Sequence, residues 1–328
     1  MTVPFAQGML DVGAGHRLSY AEYGRPDAPA AVVLHGGPGS ACQPSMLDWF
    51  DLSRQRVVLF DQRGAGKSAP AGCIAGNTTQ DLVGDIERLR RFLRISNWLV
   101  VGGSWGAMLG LMYCGAHPAA VRGMVLRGVF LPGVQQMDWF FQELRALVPV
   151  AWTQLTAGMS PAERQAVLPA LARRLLRGTH AEGRDAAERW ARYEDAVMAA
   201  MMGRAGQPQP GQPSGQPSSP QPKPQPGQPP GPLEKYRLQA HYLEHGCFVT
   251  ERQLFRAARQ AAGPAIFVHG THDWICPPQN LVRLMRFMPQ AQVRWVAAGT
   301  HTASDPAIRD ALRTAIRDMR AGLGEDCG

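Results

Sequence analysis

The strongest constraint on this chain is a short stretch, residues 97–110, that reads Asn-Trp-Leu-Val-Val-Gly-Gly-Ser-Trp-Gly-Ala-Met-Leu-Gly. The apolar run from Trp98 to Val101 predicts a buried strand. It stops at Gly102-Gly103-Ser104-Trp105-Gly106, and an apolar helix-forming segment starts at Ala107. Strand, sharp turn and helix are the setting in which a G-x-S-x-G pattern carries chemistry. The turn strains the serine backbone and brings strand and helix close together, where glycines at 102 and 106 have no Cβ to collide. The Ser104 hydroxyl then projects at a helix N-terminus, whose dipole favours developing negative charge. Such a pattern also arises by chance in a chain with 36 Gly among 328 residues. Ser104 therefore needs partners.

The rest of the chain builds a sheet around this turn. Residues 8–24 predict a hairpin, and Ala31 to Leu34 a buried strand running into His35-Gly36-Gly37-Pro38-Gly39. A glycine-rich loop after a strand exposes backbone N–H groups, which an oxyanion site requires. The strand Arg56 to Phe60 ends at Asp61-Gln62-Arg63-Gly64-Ala65-Gly66-Lys67-Ser68. Its Gly-Lys-Ser tail invites a phosphate-loop reading, but Asp61 stands where that loop needs its first glycine. A structured loop held by Asp61 and Arg63 is the better expectation. Thr78 or Thr79 can cap a helix over 80–93, and a further strand covers 123–130. Strands alternating with helices predict a largely parallel α/β sheet with helices on its faces.

Beyond residue 132 the pattern changes. Helical stretches are predicted over 136–147, 161–177, 181–202, 233–244 and 251–261, with no convincing strand before 265. Residues 207–232 are almost entirely Pro, Gln, Gly and Ser, with Lys223 as their only charge. They cannot build a core and are expected to form a disordered or polyproline-II insertion. Strands return at 265–268 and 292–297, separated by a helix over 278–288 and followed by another over 305–323. The expected organisation is a sheet domain over 1–132 and 251–328, interrupted by an all-helical cap over 133–250.

A nucleophilic serine needs a base, and the base needs an orienting acid. In sheet enzymes of this type the order along the chain is Ser, Asp or Glu, then His, at strand ends. Strand 265–268 leads to Asp273, and strand 292–297 leads to His301. Ser104, Asp273 and His301 are the expected triad; His269 and His272 precede the acid and do not fit the base's place.

Taken together, His35-Gly-Gly-Pro-Gly39, Asp61-Gln-Arg-Gly64, Gly102-Gly-Ser-Trp-Gly106 and the Asp273 and His301 segments resemble the proline iminopeptidases (prolyl aminopeptidases) of the α/β-hydrolase fold. The resemblance implies release of N-terminal proline from small peptides through an acyl-enzyme, without metal or cofactor. It implies backbone N–H groups of Gly37 and Trp105 as the oxyanion hole. It also implies a carboxylate for the substrate's free amino group in a W-x-x-W-E pattern, here Trp190-Ala-Arg-Tyr193-Glu194. A second family carboxylate, in R-I-E-x-H-Y, corresponds to Gln239 in Arg237-Leu-Gln239-Ala-His241-Tyr242. Gln accepts a hydrogen bond but carries no charge, so this departure weakens amine anchoring. It opens a second reading, an esterase or amidase on the same scaffold; a third is a non-catalytic binding protein. Cys276 matches a family position beside the catalytic Asp and is expected near the pocket.

Composition excludes little else. The net charge of +8 is spread over helix faces and forms no basic tract, so no nucleic-acid partner is expected. No stretch of about 18 uncharged apolar residues appears, and the N-terminus lacks a signal-peptide pattern. Six scattered cysteines read as free thiols. The chain is accordingly expected to be cytoplasmic, and nothing in it sets an oligomeric state.

Overall fold

The computed structural model describes residues 2–203 and 231–325. The expected Pro/Gln-rich insertion thus lies outside the described residues, apart from Gly231 and Pro232. Eight strands form one sheet: β1 (Ala6–Gly13), β2 (His16–Gly24), β3 (Ala30–Leu34), β4 (Arg56–Phe60), β5 (Trp98–Gly103), β6 (Val121–Arg127), β7 (Ala265–Gly270) and β8 (Gln292–Val296). Their order is β1-β2-β4-β3-β5-β6-β7-β8. The β1–β2 and β2–β4 pairs are antiparallel. Every other pair is parallel.

The central strands are buried on both faces, which explains their near-continuous apolar runs. In β3, Val32 and Leu34 join one core with Trp98 and Val100 of β5, while Ala31 and Val33 join another with Leu99 and Val101. The first core is covered by α1 (Thr79–Phe92) and α2 (Trp105–Ala116). The opposite face is covered by residues of the final helix, Leu312 to Met319, and by Leu47 and Phe50. Helices therefore lie on both faces, as expected. Thr78 caps α1 through a reciprocal pair with Asp81: its hydroxyl accepts from the Asp81 N–H, and the Asp81 carboxylate accepts from the Thr78 N–H.

Between β6 and β7 the described chain is helical. It comprises α3 (Val134–Asp138), α4 (Pro149–Leu155), α5 (Pro161–Gln165), α6 (Val167–Arg177), α7 (His180–Met201), α8 (Pro232–Glu244) and α9 (Glu251–Gln260). The helix expected over 136–147 is instead α3 followed by a π-turn at Trp139–Glu143 and a 3-10 turn at Leu144–Ala146. The helix expected over 161–177 is broken at Ala166, whose φ/ψ of −130°/59° is non-helical. Helices α4, α6, α7 and α8 share an apolar core of their own, centred on Leu155, Leu171, Trp190, Tyr193 and Tyr236. Helix α9 belongs instead to the sheet, its Leu254 and Ala258 packing in the α1–α2 core. After β7, α10 (Pro278–Met285) covers the same face, and α11 (Pro306–Gly322) closes the other.

Candidate active site

The turn after β5 folds as its glycines require. Ser104 has φ/ψ of 59°/−122° and stands as the residue before α2, its N–H donating to Arg127 O at 2.8 Å. A Cβ on Gly106 would overlap the carbonyl oxygens of Leu34 and His35. Strand β3 and helix α2 therefore pass closer than any other residue allows. Trp105 opens α2, so its N–H has no intrahelical acceptor.

At the ends of β7 and β8 the chain brings Asp273 and His301 together. His301 Nδ1 lies 2.9 and 2.8 Å from the two carboxylate oxygens of Asp273. Asp273 Oδ1 also accepts from the N–H groups of Ile275 (3.1 Å) and Cys276 (2.8 Å). Burial alone would raise the Asp273 carboxyl. The charge of His301 and the hydrogen bond to it outweigh burial and hold the carboxyl below its ordinary value. With Nδ1 engaged by the carboxylate, Nε2 is the nitrogen of His301 left to act as a base. Gly128, at φ 55°, lies under this pair, where a Cβ would press on both Asp273 Oδ2 and the His301 ring. His269 is buried and its Nε2 lies 2.9 Å from Cys276 O, so it braces the Asp273 loop; His272 is exposed.

A cavity of about 370 Å³ joins Ser104, Trp105 and His301 to Gly37, Trp190, Glu194 and Gln239. Of the substrate-side residues expected from the sequence, Tyr193 is the exception. It lines no part of the cavity: fully buried, it donates its hydroxyl to Phe140 O at 2.7 Å and packs against Phe140 and Phe141. It departs from the expectation from motif position, because Glu194 turns to the cavity while Tyr193 turns into the helical core; Trp190, though part of the cavity wall, is itself fully buried in that core. Glu244 points elsewhere, paired with Arg177 at 2.9 Å. Cys276 Sγ sits 4.0 Å from Ser104 Oγ. Burial, reinforced by the Asp273 charge, pushes its thiol well above the ordinary value.

Several residues support this site through contacts that their sequence patterns did not specify. Gln62 donates its side-chain amide to His35 O at 3.0 Å, its N–H to His35 Nε2 at 3.0 Å, and accepts from Trp105 Nε1 at 2.9 Å. One glutamine thereby fixes the glycine-rich loop against the serine turn. Asp61 accepts from Cys42 and Lys67 N–H groups, both at 2.8 Å, which makes a structured loop rather than a phosphate cradle. On α8, His241 Nε2 lies 3.0 Å from Asn77 O, and Tyr242 donates to Asn77 Oδ1 at 2.6 Å. Tyr242 also packs on the Trp105 ring, with centroids 4.7 Å apart. These contacts set α8, and with it Gln239 and Lys235, over the serine.

A family model of the alpha/beta hydrolase fold matches residues 29–306. Sheet order, serine turn and this match define the class: the molecule is an α/β hydrolase. The proline iminopeptidase of Xylella fastidiosa is 38% identical over 312 residues, which cover 94% of this chain and 95% of that one. That of Arabidopsis thaliana is 35% identical over 325 residues, covering 98% and 81%. The chain belongs to the proline iminopeptidase family. A proline iminopeptidase-related protein from Thermus thermophilus shares the fold, with a TM-score of 0.56 and 22% identity, covering 97% of this chain and 98% of that one.

Proposed function

We propose that the protein is a serine aminopeptidase that releases N-terminal proline from small peptides. The observation that carries this reading is the convergence, in one cavity, of Ser104 and His301 with a carboxylate, Glu194, supplied by α7. In the proposed reaction Ser104 Oγ attacks the prolyl carbonyl carbon while His301 Nε2 takes its proton. The tetrahedral oxyanion is held by the N–H groups of Gly37 and Trp105, the second at a helix N-terminus. His301 then protonates the leaving amine, the C–N bond breaks, and proline remains esterified to Ser104. Water, deprotonated by His301, hydrolyses that ester. Asp273 holds the neutral His301 in the Nδ1–H tautomer and stabilises the imidazolium formed each time Nε2 takes a proton.

The helices of residues 133–250 act as a cap that closes the cavity and confines it to peptide ends. Glu194, with Trp190 beside it and Gln239 opposite, forms the pocket for the N-terminal amine. Hydrogen bonds tie the cap to the catalytic loop: Gln136 donates to Ile275 O at 2.7 Å, Trp139 to Trp274 O at 2.6 Å, and Met201 Sδ accepts from Trp274 N–H at 3.2 Å. Five described cysteines are free thiols, which fits the cytoplasmic location expected from the sequence. Among the described residues, no helix is long and apolar enough to cross a membrane.

Hydrolysis of four substrates tests the reading: a free prolyl arylamide, its N-acetyl analogue, an alanyl arylamide and a simple aryl ester. Fast cleavage of the free prolyl compound alone supports it. Equal rates on the free and acetylated compounds would remove amine recognition and leave the esterase or amidase reading.

A further inference from the structure

Glu194 is already engaged. Its Oε1 accepts from Gln239 Nε2 at 2.5 Å, and its Oε2 accepts from Tyr236 OH at 2.7 Å and from Lys235 Nζ at 3.2 Å. Lys235 Nζ also lies 3.2 Å from Tyr236 OH and 4.5 Å from the centre of that ring. Tyr236 is buried, whereas the Lys235 and Glu194 side chains are 31% and 22% exposed, and both line the catalytic cavity. Where an amine subsite needs an available negative charge, Glu194 already carries a cation, Lys235, whose charge also acts on the neighbouring Asp195. Gln239, on the facing helix, adds no second charge.

We propose that Lys235 is a specificity-determining residue: its ammonium occupies, as an internal counter-ion, the place on Glu194 that the substrate's ammonium must take. The proposal rests on the aminopeptidase reading of the site. Two ammonium groups cannot share one carboxylate in a partly dry cavity without mutual repulsion. Lysine suits this role because its flexible four-carbon stem lets Nζ withdraw toward the cavity mouth while the helix stays in place. The work of displacing it comes out of substrate binding, before any bond to Ser104 forms, so it raises KM and leaves the chemical step alone. Its consequence is a preference for charged N-termini that is shallower than Glu194 alone would give.

Binding of L-prolinol, which has the ammonium but no carbonyl to cleave, separates this role from catalysis. Titration calorimetry would compare the wild type, Lys235→Met and Lys235→Arg, with N-acetylprolinol as the uncharged control. Lys235→Met is expected to bind L-prolinol about tenfold more tightly, about 1.4 kcal/mol. Lys235→Arg, which keeps the cation, is expected to show no such gain, and N-acetylprolinol to shift far less than L-prolinol. The KM of a free prolyl arylamide should fall by the same factor. Unchanged or weaker L-prolinol binding in Lys235→Met would overturn the proposal. So would equal shifts for both probes, or no binding of L-prolinol to any of the three proteins. Failure of the wild type to cleave prolyl arylamide would instead sink the aminopeptidase reading, and the prolinol titration would still decide the role of Lys235.

Discussion

At the scale of single residues, the serine turn is defined by backbone geometry, and its partners by hydrogen bonds reaching across the sheet. Glycines flanking Ser104 and the runs feeding Asp273 and His301 are local features, so they were legible in the sequence. What lies between them was not. Gln62 was legible as part of the Asp61-Gln-Arg-Gly64 pattern but not in its task; that it ties His35 to Trp105 shows only once three loops meet. The Lys235–Glu194 pair is hidden in the same way, because its members sit on different helices whose packing decides the contact. Asp273→Asn should lower kcat by about 10⁴-fold with the fold intact, because the amide presents a donor to Nδ1 and selects the wrong tautomer. Steady-state kinetics beside a circular dichroism spectrum checks this. The Asp273 carboxyl sits below the unfolded value of about 3.9. Between the folded and unfolded values the unfolded chain binds more protons, so the stabilisation is complete above about pH 4 and fades as pH falls through the lower folded value. Urea midpoints of the wild type should therefore fall below about pH 4 more steeply than those of Asp273→Asn.

At the scale of elements, periodicity located the helices but not their breaks. The interruption at Ala166 precedes Pro169, which has no N–H to donate to Gln165 O in a continuous helix, whereas the π-turn at Trp139–Glu143 answers to packing. Phe140 and Phe141 must both reach the cap core, while Trp139 reaches back to Trp274 O. A regular helix puts consecutive residues about 100° apart and cannot satisfy all three. The same logic separates Tyr193 from Glu194 on α7: neighbours in sequence, they face the core and the cavity respectively. Motif matching treats them as one unit, and helix geometry divides them. Removing the Tyr193 hydroxyl leaves the Phe140 carbonyl without that partner. Tyr193→Phe should therefore cost about 1 kcal/mol of stability by urea unfolding. Its KM for prolyl arylamide should change by less than about twofold; a rise of about tenfold would return Tyr193 to the substrate pocket.

At the scale of the molecule, a polar junction beneath the site ties α8 of the cap to the sheet. Arg63 pairs with Asp85 of α1 at 2.5 and 2.7 Å and donates to Gly76 O and Val12 O, so β1, α1 and the loop after β4 meet at one guanidinium. Asn77 continues the junction, donating to Arg63 O at 3.2 Å and receiving Tyr242 from α8. Arg63→Met leaves Asp85 buried with only the more exposed Arg88 beside it. It should cost about 3–5 kcal/mol, read as a lowered denaturation midpoint. The overall α/β architecture was legible because parallel strands buried on both faces must be apolar throughout. The junction was not, since a loop Arg and a helical Asp 22 residues apart carry no mark of their pairing. The most direct test of the catalytic assignment is the rate of proline release from a free prolyl arylamide by Ser104→Ala. A fall of at least about 10⁴-fold in kcat, with an unchanged circular dichroism spectrum, is expected. Release at more than about one hundredth of the wild-type rate would contradict Ser104 as the nucleophile.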